Sequence, residues 1–101
     1  MTGYRLSPQA ADDVLGIYLQ GFDLFGLRQA DAYQEELDRA FQRLADFPQL
    51  GRPREDLNPA IRTLPTGSHV IIYEIQPPDV MILRVRHGRE DWIADPLGYD
   101  Q

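Results

Sequence analysis

His69–Trp92, HVIIYEIQPPDVMILRVRHGREDW, decides how this chain folds. Residues 69–76 are apolar at both alternating sets of positions, with Val70 and Ile72 on one face and Ile71, Tyr73 and Ile75 on the other. A strand buried on both sides is usually central in its sheet. Gln76-Pro77-Pro78-Asp79 then turns the chain into a second strand over residues 80–87. Strict alternation there puts Met81, Leu83 and Val85 toward a core, with Val80, Ile82, Arg84 and Arg86 on the opposite face. The stretch ends in the tightest concentration of positive charge in the chain.

Immediately upstream, residues 60–64 (AIRTL) read as a third strand, and Pro65-Thr66-Gly67-Ser68 as the turn between them. The carboxyl-terminal half is therefore a three-stranded antiparallel meander. Arg62 is expected to join Arg84 and Arg86 on one sheet surface. Residues 48–59 (PQLGRPREDLNP) hold three prolines and a glycine and read as one long loop.

The amino-terminal half is helical. Residues 3–6 (GYRL) form a short strand candidate. Ser7-Pro8 supplies a favoured N-cap and a favoured first helical residue. Ala11, Val14, Leu15, Tyr18, Phe22 and Phe25 then recur at spacings of three and four, which predicts a helix from about Pro8 to about Phe22. A second helix is expected from about Leu27 to Phe47. Its core face would be Ala30, Tyr33, Leu37, Phe41, Leu44 and Phe47, ended by Pro48. The short connection makes the pair an antiparallel hairpin. The expected architecture is α+β: an amino-terminal strand and an α-hairpin packed on the meander. Residues 1–92 form one domain, and 93–101 a flexible acidic tail.

Composition narrows the chemistry. The chain has 101 residues, enough for one core. With no cysteine there is no disulfide, thiolate metal site or cysteine nucleophile. His69 and His87 have no ligand spacing, so no metal or cofactor is expected. No apolar run approaches the ~18 residues of a membrane span, and a cytoplasmic protein with no membrane contact is expected. The net charge is −6 and all ten cations are arginine. An acidic chain is a poor general nucleic-acid binder. The cluster above background is Arg62, Arg84, Arg86, His87, Arg89 and Trp92. On physics alone it suits either an anionic partner or a solvated sheet end matched by Glu74, Glu90 and Asp91.

Four segments carry a resemblance: YRLSPQAADDVLGIY, DFPQLGRPREDL, IRTLPTGSHVIIYEI and VMILRVRHGREDW. In this order and spacing they resemble the ParE branch of the RelE/ParE toxin superfamily over about residues 3–92. The resemblance implies a toxin of a type II toxin–antitoxin module that inhibits DNA gyrase by protein binding, blocks replication, and is neutralised by a ParD-like antitoxin in a hetero-oligomer. It implies no catalytic residue and no sequence-specific nucleic-acid binding by the toxin alone. The alternatives are a ribosome-dependent mRNA endonuclease of the RelE type and a non-toxic, antitoxin-bound regulatory subunit. Against the nuclease, the chain lacks lysine, and Gly88 and Trp92 fall where RelE-like enzymes resemble one another in a last-strand arginine and a terminal tyrosine. Target contact is then expected at Arg62, Arg84, Arg86, His87, Arg89 and Trp92. Antitoxin contact is expected at Leu15, Tyr18, Leu19, Phe22, Val80 and Ile82.

Overall fold

A computed structural model describes residues 3–56, 60–89, 92–93 and 96–97. The elements are β1 (Tyr4–Leu6), α1 (Pro8–Phe25), α2 (Leu27–Asp46), β2 (Arg52–Pro53), β3 (Arg62–Thr66), β4 (His69–Gln76) and β5 (Asp79–His87). They form one five-stranded sheet in the order β1-β5-β4-β3-β2. β4 is central, as its two-sided apolar pattern requires. Every neighbouring pair is antiparallel except β1 and β5, which run parallel. The sheet is wider than the three-stranded meander expected from the sequence. β1 joins its edge, and the 48–59 loop contributes the two-residue β2 opposite Arg62 and Thr63.

The helices cover one face of the sheet. Leu37, Ala40, Phe41 and Leu44 of α2 and Ala10 of α1 meet Ile71, Tyr73, Val80, Ile82 and Val85 in the main core. A second cluster lies on the opposite face, where Ile61, Val70 and Ile72 pack with Trp92, Leu83 and Leu97. The chain past Trp92, expected as a mobile tail, thus sends Leu97 against the sheet. Residues 94–95 and 98–101 of that expectation lie outside the described residues.

Strict alternation fails in β5. Ile72 pairs with Arg84 while Tyr73 pairs with Ile82, so Leu83 is an extra residue in a bulge. The bulge reverses the in–out order before it. Val80 and Ile82, expected on the outer face and as antitoxin contacts, are completely buried against the helices. Met81 and Leu83, expected in the helix-side core, are only half-buried, and Leu83 packs into the outer cluster. Beyond the bulge the expectation holds: Val85 faces the helices, and Arg84 and Arg86 sit opposite Ile72 and Val70 on the outer face. Arg62 is paired with Tyr73 and therefore lies on the helix side of the sheet. The three arginines do not share a surface.

The bulge is held by the start of α1. Ser7 N–H donates to Ile82 O at 2.9 Å, and Ser7 Oγ donates to Leu83 O at 2.7 Å while accepting from Ala10 N–H at 3.0 Å. One side chain thus caps the helix and satisfies the bulged carbonyl. Ser7→Ala removes both bonds and is expected to cost about 1–2 kcal/mol, read as a lower urea midpoint with unchanged slope.

The helices are joined by Gly26 alone, which ends α1 and begins α2 at φ +90°. Only glycine enters that region without strain. The resulting hairpin is tight enough that the Gly21 position faces Ala30 across it. No helix among the described residues is long and apolar enough to cross a membrane.

Candidate interaction surface

α1 carries two apolar stripes, and the one prominent in the sequence is the outward one. Ala10, Val14 and Ile17 turn toward the core, with only Ala10 fully buried. Leu15, Leu19 and Phe22 point away from it and are 57, 54 and 47% exposed. Spacings of four and three put them on one line along the helix. Leu24, Phe25 and Leu27 extend the exposed apolar surface around the hairpin end. Tyr18 is half-buried, and its hydroxyl donates to Asp31 at 2.7 Å; that bond raises the phenol above its usual range. An aqueous surface rarely presents so continuous an apolar stripe without a partner to cover it.

Behind this stripe lies a groove of 340 Å³ near the Gly26 end of the hairpin, where α1 and α2 are joined. Its walls include Gly21 and Phe25 of α1, Ala30 and Tyr33 of α2, and His69 and His87 of the sheet. His69 and His87 are directly opposed across β4 and β5, with ring centroids 5.3 Å apart and the rings edge-on. Tyr33 Oη lies 2.6 Å from His69 Nδ1, accepts from Ser68 N–H at 3.1 Å, and reaches Thr66 O at 3.3 Å. Tyr33 thereby fixes the Gly67-Ser68 turn to α2, and burial raises its phenol pKa. Tyr33 and His69 escaped the sequence reading as groove residues because they are 36 positions apart and share no motif.

The six-residue cluster of the sequence disperses in the fold. Arg84 grips Asp13 of α1 with two bonds, Nε to Oδ2 at 2.7 Å and Nη2 to Oδ1 at 2.9 Å. Its Nη1 donates to Leu97 O. Arg86 donates to Pro96 O at 3.2 Å. Arg62 donates to Gly51 O at 3.2 Å and Gln49 O at 3.1 Å, tying down the loop before β2. Trp92 is 8% exposed, and its ring is covered by the Arg54 guanidinium at 5.2 Å. Arg54 also pairs with Asp56 and holds that carboxyl below the usual range. Trp92, expected as a contact residue, is thus a core side chain. His87 and Arg89 remain exposed, with Arg89 N–H donating to His87 Nδ1 at 3.1 Å.

Comparison with known proteins adds what geometry alone does not. Residues 4–92 match the family described as the ParE toxin of the type II toxin–antitoxin system parDE. Toxin ParE1 of Mycobacterium tuberculosis is 35% identical over 89 residues, covering 87% of this chain and 91% of the relative. Toxin ParE3 of Caulobacter vibrioides is 39% identical over 73 residues, 72% of each chain. A chain of the chromosomal ParDE system from P. aeruginosa has the same fold, with a TM-score of 0.74 at 21% identity over 86% of this chain and 96% of that one. A chain of the RelBE2 toxin–antitoxin complex of M. tuberculosis follows at 0.62 and 23% identity, covering 84% and 95%. Built on the α-hairpin-and-sheet fold of those structures and matched over nearly its whole described length, this chain belongs to the ParE toxins of type II toxin–antitoxin systems.

Proposed function

We propose that this toxin acts in the cytoplasm by binding DNA gyrase and blocking replication, without chemistry of its own, and that a ParD-like antitoxin neutralises it. The observation that carries the non-catalytic reading is where the sheet arginines are engaged. A nuclease needs preorganised cations aimed at the phosphate where charge develops. Arg84 is held by a carboxylate, Arg86 and Arg62 donate to main-chain carbonyls, and Arg62 lies on the other side of the sheet. Trp92 sits in the outer cluster.

Protein contact has better candidates. Leu15, Tyr18, Leu19 and Phe22 present the apolar surface an antitoxin segment would cover, and the two solved relatives named above come from a ParDE system and a RelBE2 toxin–antitoxin complex. His87 and Arg89 are the exposed remainder of the basic cluster and are assigned to target contact.

Induction of the chain alone in growing cells tests this reading. Incorporation of labelled thymidine should stop before incorporation of labelled methionine. Translation stopping first, with cleaved message on ribosomes, would establish the RelE-type alternative instead. Normal growth on induction would favour the non-toxic regulatory subunit.

A further inference from the structure

The charge around the α1 stripe says what kind of segment covers it. α1 contains Asp12, Asp13 and Asp23 and no cationic residue. Asp13 is engaged with Arg84. Asp12 lies three residues before Leu15, and Asp23 four residues after Leu19, so both fall on the line of the exposed stripe and close it at its two ends. Both are exposed, and neither makes an ion pair among the described residues. α2 behind it carries five acids against three arginines. The helical layer therefore concentrates the negative charge of the molecule, while the apolar stripe runs through its centre.

We infer that the occupant of this face is a cationic amphipathic helix of a protein partner. Its apolar residues recur at spacings of three and four, and its lysines or arginines stand about three turns apart. The eleven residues from Asp12 to Asp23 span about 16 Å at 1.5 Å per residue, so a helix lying along α1 meets both carboxylates with cations about eleven positions apart. Such a helix lays its apolar face on Leu15, Leu19 and Phe22 and sets its charges on the rim, where complementarity fixes register and partner choice. Two other occupants are disfavoured by the same charges. A second copy packed by two-fold symmetry would bring Asp12 of one protomer toward Asp23 of the other. An anionic lipid surface attracts basic amphipathic helices and repels this one. The inference rests on the proposed neutralisation by an antitoxin and names the chemistry of the segment that performs it.

The test uses the whole purified chain and two labelled helical peptides with one shared Leu/Ile stripe. One peptide carries lysines eleven positions apart on the flanks, the other glutamates at the same places. Fluorescence anisotropy at low salt should show the lysine peptide binding at least about tenfold more tightly, with the gap closing as salt shortens the screening length. Asp12→Asn with Asp23→Asn should narrow the gap to about twofold while leaving weak binding of both peptides. Leu19→Asp, at an exposed position that does not disturb the core, should abolish binding of both.

Equal binding of the two peptides, preference for the glutamate peptide, no binding of either, or binding indifferent to Leu19→Asp would overturn the inference. So would concentration-dependent self-association lost in Leu19→Asp, or sedimentation of the chain with phosphatidylglycerol vesicles. Peptide binding is read on the toxin alone. A chain that left gyrase untouched would still give the expected result, so the two readings fail separately.

Discussion

Replacing Asp13 by alanine is expected to destabilise the fold by about 2–4 kcal/mol, which for a domain of this size lowers Tm by about 10–25 °C. Asp13 accepts three hydrogen bonds from two residues. It receives Arg84 through two oxygens, and it accepts Val85 N–H at 2.9 Å on the β5 edge that β1 does not cover. Both side chains of the ion pair are 16% exposed, so alanine leaves a largely desolvated guanidinium without its carboxylate and the Val85 N–H without this acceptor. The partial exposure is why the expectation is set lower than the usual range of about 3–5 kcal/mol for a fully buried pair.

Two controls separate the contributions. Asp13→Asn keeps an acceptor for Val85 and should lose less. Arg84→Met in the Asp13→Ala background should recover part of the loss, because it removes the stranded charge. Thermal unfolding followed by circular dichroism reads all three. A Tm change of only ~2 °C in Asp13→Ala would show that the clasp between α1 and β5 contributes little.

Gly51→Ala is the second large effect. A methyl group at Gly51 would meet Tyr73 Cε1 and Oη at 2.6 Å and Thr63 O at 2.8 Å. Thr63 belongs to the β3 backbone paired with Arg52, so it cannot give way without opening the edge of the sheet. Moving Gly51 instead breaks its N–H bond to Tyr73 Oη at 2.9 Å and strains the bond from that hydroxyl to Pro48 O at 2.7 Å. Overpacking of this kind, with the lost bond, costs about 2–4 kcal/mol. Tyr73→Phe removes the nearest obstructing oxygen. The double variant should therefore be more stable than the sum of the two single losses allows, measured as urea midpoints.

These two sites also mark where sequence reading runs out. The order of elements, the central place of β4 and the family were legible because each rests on local pattern: Ser7-Pro8 starts a helix, Pro48 stops one, and residues 69–76 are apolar on both faces. The in–out order of β5 was legible only after Leu83. Alternation assumes an unbroken period of two, and one inserted residue inverts Val80, Met81 and Ile82. In α1 the periodicity of three and four announced an apolar helix but did not separate its two stripes: Ala10, Val14 and Ile17 turn to the core, while Leu15, Leu19 and Phe22 stay exposed.

The basic cluster shows a different limit. Arg84, Arg86 and Arg62 were grouped by strand pattern, but Arg62 lies on the other side of the sheet and their partners come from elsewhere in the chain. Asp13 is 71 positions from Arg84, and no periodicity announces that pairing. The antitoxin surface expected from the resemblance is sorted by exposure, which sequence does not supply: Leu15, Leu19 and Phe22 are open to solvent, and Val80 and Ile82 are buried.

Purified chain titrated into a DNA gyrase supercoiling reaction tests the central proposal most directly. Loss of supercoiling should be complete at about one toxin per gyrase subunit, with no cleavage of added ribosome-bound message. Undiminished supercoiling at every ratio, or message cleavage by catalytic amounts of the chain, would contradict inhibition by binding.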